Sequence, residues 1–239
     1  MSFKKIIFYF LLSAPSFSQA QTADEIISNY ISFTGGVENW NKIHSISTSG
    51  IYNYGGIEFP FEAWSKAPDL YKYIVRSNGK YFAQAYDGTK GWKIDEFKGE
   101  TSKTILEGRQ ARAMANEADV ELESPFINYR KKGFEAIAEG KETVDSEACY
   151  KIKLVKDQND TSTWFFSTTN FALLKKQAVS KNAELENSLL DTYYSDYRTV
   201  QGVKFPFRME SKVGDQTILI ITITNLELNV PIPDNDFKP

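Results

Sequence analysis

From Ile43 onward, apolar side chains recur at every second position in short bursts set off by turn residues, with one interruption. This period of two commits the chain to half-buried β-strands, because successive side chains of a pleated strand point to opposite faces. Val203, Phe205, Phe207, Met209 and Val213 alternate with Lys204, Arg208, Glu210 and Lys212. Ile57, Phe59, Phe61 and Ala63 alternate in the same way with Glu58, Glu62 and Trp64. In the segment 69–76, Tyr71, Tyr73 and Val75 share one face, with Lys72 and Arg76 opposite. Ser77-Asn78-Gly79 and Asp87-Gly88 are hairpin signals, and they join this segment to strands at 80–86 and 90–97. Further strands follow at 149–155, 161–167, 171–179, 189–200 and 218–228, which makes about ten in all. The composition does not break between them, so the residues read as one mainly β, antiparallel domain with helices.

Two places depart from the alternation. Thr22-Ala23-Asp24-Glu25 has the form of a capping box, followed at helical spacing by Ile26, Ile27, Tyr30 and Ile31 and closed by Gly35-Gly36. Near 104–133 the alternation gives way to the strong helix formers Leu106, Arg109, Gln110, Ala111, Arg112, Ala113, Met114 and Ala115. Ser124-Pro125 then opens a second short helical piece that ends in Arg130-Lys131-Lys132. The expectation is a helical insertion between two runs of strands.

The first twenty residues have export character. Lys4 and Lys5 precede the short apolar run 6–12, and Ser18-Gln19-Ala20 places small residues at −3 and −1 of a cleavage site. The apolar run is shorter than the ~20 residues a membrane helix needs. Residues 1–20 therefore read as a signal peptide, and residues 21–239 as one periplasmic domain, soluble after cleavage. Removing Lys4 and Lys5 leaves 26 basic against 31 acidic side chains. An acidic chain without a basic stripe argues against nucleic acid as a partner. The one cysteine, Cys149, excludes an internal disulfide.

The residues that could carry catalysis are few. His44 is the only histidine, and it stands at the start of the first strand with no acidic or thiol motif beside it. Cys149 sits out of phase with Tyr150 and Ile152 and reads as a strand residue. Ser77-Asn78-Gly79-Lys80 and Gly88-Thr89-Lys90-Gly91 have the spacing of an acylation motif and of a phosphate loop only superficially. Both are explained by turn chemistry. The acid pairs Asp95/Glu96 and Glu184/Glu186 read as solvated loops. The expectation is a non-enzymatic protein without metal or cofactor. What remains is apolar surface. A curved sheet under a helical insertion can enclose a cavity whose wall suits acyl chains, although aromatic stripes also simply make core. The wall candidates are Tyr71, Tyr73, Val75, Phe205, Phe207 and Met209, and the lid candidates are Leu106, Arg109, Met114, Phe126 and Ile127.

The order of these parts, with the stretches 86–92, 140–154, 197–206 and 233–237, resembles the periplasmic lipoprotein-carrier (Lol) superfamily. It is most similar to the outer-membrane lipoprotein-sorting proteins of Bacteroidetes-type bacteria. The resemblance implies an incomplete antiparallel β-barrel of about eleven strands with helices on its concave face. It also implies a carrier or chaperone for lipoprotein acyl chains or related lipid, served by membrane donor and acceptor proteins. An arginine holds the lid shut in such carriers, but no motif transfers that role to Arg109 or Arg112. The same fold also serves as an envelope regulatory or protein-interaction module, so fold is better supported than function.

Cleavage after Ala20 gives mature protein that begins at Gln21. N-terminal sequencing of the exported protein checks this, and mature material that retains Met1 would refute export.

Overall fold

A computed structural model describes residues 21–108, 114, 124–158, 160–180, 185 and 187–239. The proposed signal segment lies outside the described residues, as do Arg109, Arg112, Glu184, Glu186 and most of the predicted insertion. Helix α1 (Ala23–Phe33) starts where its cap requires: Glu25 N donates to Thr22 Oγ1 at 3.3 Å, and Thr22 N donates to Glu25 Oε2 at 2.9 Å. Its apolar stripe buries Ile26, Ile27 and Tyr30. Gly35, at φ +117°, then turns the chain into the single turn α2 (Val37–Trp40). A side chain at Gly35 would strike the Gly202 carbonyl at 2.2 Å, so the position requires glycine.

Thirteen strands follow: β1 (Ser45–Tyr54), β2 (Ile57–Lys66), β3 (Leu70–Ser77), β4 (Lys80–Asp87), β5 (Gly91–Asp95), β6 (Glu100–Leu106), β7 (Glu135–Val144), β8 (Glu147–Asp157), β9 (Asp160–Ser167), β10 (Leu173–Val179), β11 (Leu189–Val200), β12 (Val203–Val213) and β13 (Gln216–Leu228). They form one antiparallel sheet in the order β6-β5-β4-β3-β2-β1-β13-β12-β11-β10-β9-β8-β7. The sheet stays open and has the form of an incomplete barrel. Two meanders are joined at its centre by the first and last strands, and residues 107–134 connect its two outer edges. At the central seam Ser49 pairs with Asn225 and Gly50 with Ile223, which leaves Thr224 as an extra residue on β13. Thr224 Oγ1 donates to Ser49 O at 3.2 Å. A Cβ at Gly50 would lie 2.0 Å from the Thr222 carbonyl and 2.9 Å from the Phe61 ring, so this close approach also needs glycine.

The insertion begins later than the composition suggests. Leu106 ends β6, opposite Gly91, where a Cβ on the glycine would meet the Leu106 side chain at 3.3 Å. The piece that opens at Ser124-Pro125 is a chain of tight turns rather than a helix, because Asn128 adopts φ +55° and breaks helical propagation. Ile127 N donates to Ser124 O at 2.9 Å, and Lys131 N to Asn128 O at 2.8 Å. The strands beyond the expected set are the two edges, β6 and β7.

Residues paired directly across strands share a face, so the register fixes the two sides of the sheet. One row runs Leu226, Thr48, Ala63, Tyr73, Gln84, Lys93, Thr104 from β13 to β6. This inner face carries α1, α2, Met114, Phe126 and Ile127. The outer face of the β3–β5 arm holds Ile74, Ala83, Ala85, Trp92 and Ile94, and the C-terminal residues lie against it. Trp92 Nε1 donates to Phe237 O at 2.7 Å. Lys66 Nζ reaches both Ile232 O and Asp234 Oδ1 at 2.7 Å, and Lys103 Nζ reaches Lys238 O at 2.8 Å.

Phe237 is fully buried, and its removal leaves a cavity. Phe237→Ala lowers the unfolding free energy by about 3–5 kcal/mol, whereas Asp236→Ala changes it by less than about 0.5 kcal/mol. Urea denaturation measures both.

Candidate functional site

The inner face divides along the strands into a packed end and an open end. At the packed end, Trp40 lies edge-on against Phe205 at 5.3 Å between ring centroids. Its indole donates to Thr34 Oγ1 at 3.1 Å, and Lys204 N ties the β11–β12 hairpin to Thr34 O at 2.9 Å. Ile43, Ile46, Ile127, Val203, Phe207, Ile223, Leu226 and Leu228 complete this core. Beside it, Ile26, Ile27 and Tyr30 of α1 pack with Phe126 on Ile152, Leu154, Trp164 and Phe166. Burial pushes the Tyr30 phenol up to about 12, against the opposing effect of a hydrogen bond with Ser124. This half of the interior is filled.

Toward the other end of β1, β2 and β13 the same face loses its cover. Ile57, 61 % exposed, and Tyr54, 39 % exposed, pair across the β1–β2 hairpin. Phe59, Phe61, Tyr52, Leu219 and Ile221 lie half-buried on the same face. Phe97, 42 % exposed, projects from the turn Glu96–Lys98 and meets Phe59 edge-on at 6.2 Å. In the middle of the face, Thr48 and Ala63 stand opposite each other and remain half-exposed. Their small side chains make the floor of a shallow apolar trough that opens at the hairpin end. Large contiguous exposed apolar patches are uncommon on monomeric proteins and are often functional.

The register places all six predicted wall residues on this inner face. Tyr71 and Val75 are buried, as are Phe205 and Phe207 under Trp40 and Ile127. Tyr73 and Met209 are half-buried at the edge of the trough. Among the lid candidates, Met114 is fully buried against Tyr71, Tyr86 and Leu106, while Phe126 and Ile127 belong to the packed end. Sequence reasoning passed over Tyr52, Tyr54, Phe97 and Ile221, and counted Ile57, Phe59 and Phe61 only as strand residues. Their alternation gave the signal, but only strand order shows that they converge.

Two hollows lie elsewhere. One of about 440 Å³ runs between α1 and the 124–133 turns, lined by Ile27, Ile31, Val37, Phe126, Asn128 and Lys131 among others. Its rim is held by Tyr129 Oη, which donates to Asp24 Oδ1, and by Arg130 Nη2, 2.7 Å from Asp24 Oδ2. These two contacts, the Tyr129 hydrogen bond first, hold the Asp24 carboxyl below its ordinary range. The other hollow, about 280 Å³, is lined by Glu147, Tyr193, Arg208, Glu210 and Lys212 among others. Of the wall and lid candidates, only Phe126 lines either hollow. The trough coincides with neither of these two hollows.

The chemical motifs resolve into local structure. Asp87 Oδ1 accepts from Thr89 N at 2.9 Å and Lys90 N at 2.7 Å, so the glycine-rich stretch is a side-chain-capped turn. Asn78 and Gly79 take positive φ in the β3–β4 hairpin. Asp95 caps the turn Glu96–Lys98, and Glu96 accepts from Tyr81 N at 3.0 Å. His44 is exposed, and its backbone N–H donates to Asn229 Oδ1 at 2.7 Å. Among the described residues, no group of three or more His, Cys, Asp or Glu side chains is placed to hold a metal ion. None of their helices is long and apolar enough to cross a membrane.

No protein-family model matches the chain, and no curated protein is significantly similar to it in sequence. Solved structures do match. A DUF1329 family protein from Desulfovibrio piger superposes with a TM-score of 0.59 at 13 % identity, covering 90 % of this chain and 97 % of that one. A LolA superfamily protein from Nitrosomonas europaea gives 0.58 at 13 %, covering 92 % and 99 %. An outer membrane lipoprotein-sorting protein domain from Vibrio parahaemolyticus gives 0.59 at 12 %, covering 90 % and 95 %. The chain shares its fold with these proteins. At such identities the likeness concerns fold alone.

Cys149 is fully buried, and burial, reinforced by Glu147, pushes its thiol up to about 11. A thiol so high and so enclosed is a poor nucleophile. In native protein at pH 8, Ellman's reagent leaves Cys149 unmodified for hours, while unfolding in urea releases one reactive thiol per chain. Rapid native labelling would contradict this.

Proposed function

We propose that the protein is a periplasmic, non-catalytic carrier or chaperone that takes lipoprotein acyl chains or a related lipid onto its inner face. The observation that carries this reading is the trough, an apolar face left open beside a core that is otherwise filled. The fold shared with LolA superfamily and lipoprotein-sorting structures supports it. A Bacteroidetes-type sorting protein, working between membrane donor and acceptor partners, is the finer form of the same reading.

The mechanism needs no bond chemistry. Eight methylenes laid between Phe59, Tyr52 and Ile221 contribute about 6 kcal/mol at ~0.8 kcal/mol each, equivalent to a Kd of tens of micromolar. The packed end keeps the sheet rigid while the open end binds. Met114, Phe126 and Ile127, seated on the inner face, act in this proposal as the lid. A longer chain displaces Met114 from Tyr71 and Tyr86 and occupies its place. Transfer follows from different affinities in the open and closed states.

A fluorescent fatty acid titrated into the mature protein gives saturable binding in the micromolar range. Ile57→Asp weakens it about tenfold and leaves the thermal midpoint within about 2 °C, because the site is exposed. Equal binding by parent and variant moves the site off the trough. No binding by either refutes the carrier and leaves a protein-interaction module of the same fold.

A further inference from the structure

Among the described residues, eight large apolar side chains are exposed, and five of them stand at one end of the sheet. Antiparallel order brings the β1–β2, β5–β6, β10–β11 and β12–β13 turns to the same rim. Tyr54 and Ile57 flank the Gly55-Gly56 turn, and Phe97 stands on the turn that joins β5 to β6. Val179 and Leu189 pair with each other at the ends of β10 and β11, 54 % and 51 % exposed. The two groups lie on opposite faces. Tyr54 and Ile57 belong to the inner face, whereas Leu189 is in phase with Tyr193, which packs on the outer face with Phe165 and Cys149. The β1–β2 and β10–β11 hairpins are also four strand intervals apart, about 19 Å along the sheet. A partner lying along either face covers one group and misses the other. A broad apolar layer that meets the rim end-on covers both, and a lipid bilayer is such a layer.

We propose that this rim docks the protein end-on and reversibly on a phospholipid bilayer, with Tyr54, Ile57, Phe97, Val179 and Leu189 entering the interface. Such binding scales with the apolar area buried and with charge attraction to anionic lipid. Exposed Glu58, Asp157 and Asp215 share the rim with Lys80 and Lys98, so no basic field forms there and apolar burial supplies the contact. Docking does not depend on the trough being a lipid site; its consequence does. The trough opens at the same rim, so a docked protein turns the mouth of its apolar face toward the acyl layer, and a chain enters without crossing water.

Flotation of the mature protein with vesicles of phosphatidylcholine, alone or mixed with phosphatidylglycerol, tests this. The parent floats with both to a similar extent, and added salt changes this little because no ionic attraction is being screened. Val179→Asp combined with Leu189→Asp lowers partition at least tenfold and leaves fatty-acid binding as in the parent, since both residues lie on the face opposite the trough. Ile105→Asp, at a site of similar exposure toward the other end of β6, leaves partition unchanged. An environment-sensitive dye on Val179→Cys and, separately, on Phe97→Cys shifts to the blue on vesicles at both positions, with buried Cys149 out of the reagent's reach. A parent that stays in solution, partition that survives the paired aspartates, or a shift at only one position overturns end-on docking and leaves the carrier standing. Flotation confined to the anionic vesicles and lost in salt also overturns it. A blue shift without lipid that grows with protein concentration does the same and assigns the rim to a second copy of the chain.

Discussion

The pairing of β1 with β13 is the contact on which the rest of the structure depends. Each meander is local, strand against next strand, and can form from hairpins alone. Only the seam between Ile46–Tyr54 and Leu219–Leu228 joins them into one sheet, and it links residues from opposite ends of the domain. Such a pairing closes a far longer loop than the hairpins do and carries a correspondingly larger loop-closure entropy. The bulge at Thr224 and the glycine at position 50 let the two strands approach where Phe61 crosses the inner face. The trough lies directly over this seam, on β1, β2 and β13, so this apolar face exists only when the two meanders are paired.

Most of the interior of the sheet could be read from periodicity, and its margins could not. Strands flanked on both sides have one buried and one exposed face, and the alternation in 57–63, 71–75 and 203–213 reports this directly. The edge strands β6 and β7 are exposed along nearly their whole length, so nothing selects apolar residues at alternate positions and no pattern appears. Leu106 looked helical because it is followed by helix formers, yet its place was decided by Gly91 across the ladder. The turns after Pro125 were misread because an Asn can enter left-handed conformation without any mark in the pattern.

The wall residues were legible as a face but not as a site. Tyr71, Tyr73, Val75, Phe205, Phe207 and Met209 do point the same way, but periodicity cannot say which of them another element covers. Trp40, on a four-residue helix too short to announce itself, seals Phe205 and leaves the far end bare. The motifs at 77–80 and 88–91 were easier to judge, because both have turn geometry at hand.

Among the described residues, the two edges of the sheet, β6 and β7, are joined by no ladder. In a closed barrel, strand number and stagger fix the radius, and any swelling must break backbone hydrogen bonds. Here the curvature is a free coordinate. Small changes of twist distributed over twelve intact pairings alter the girth of the half-pipe while every ladder bond survives. The width of such an inner face is therefore set by how the strands twist and not by a closed hydrogen-bonded ring.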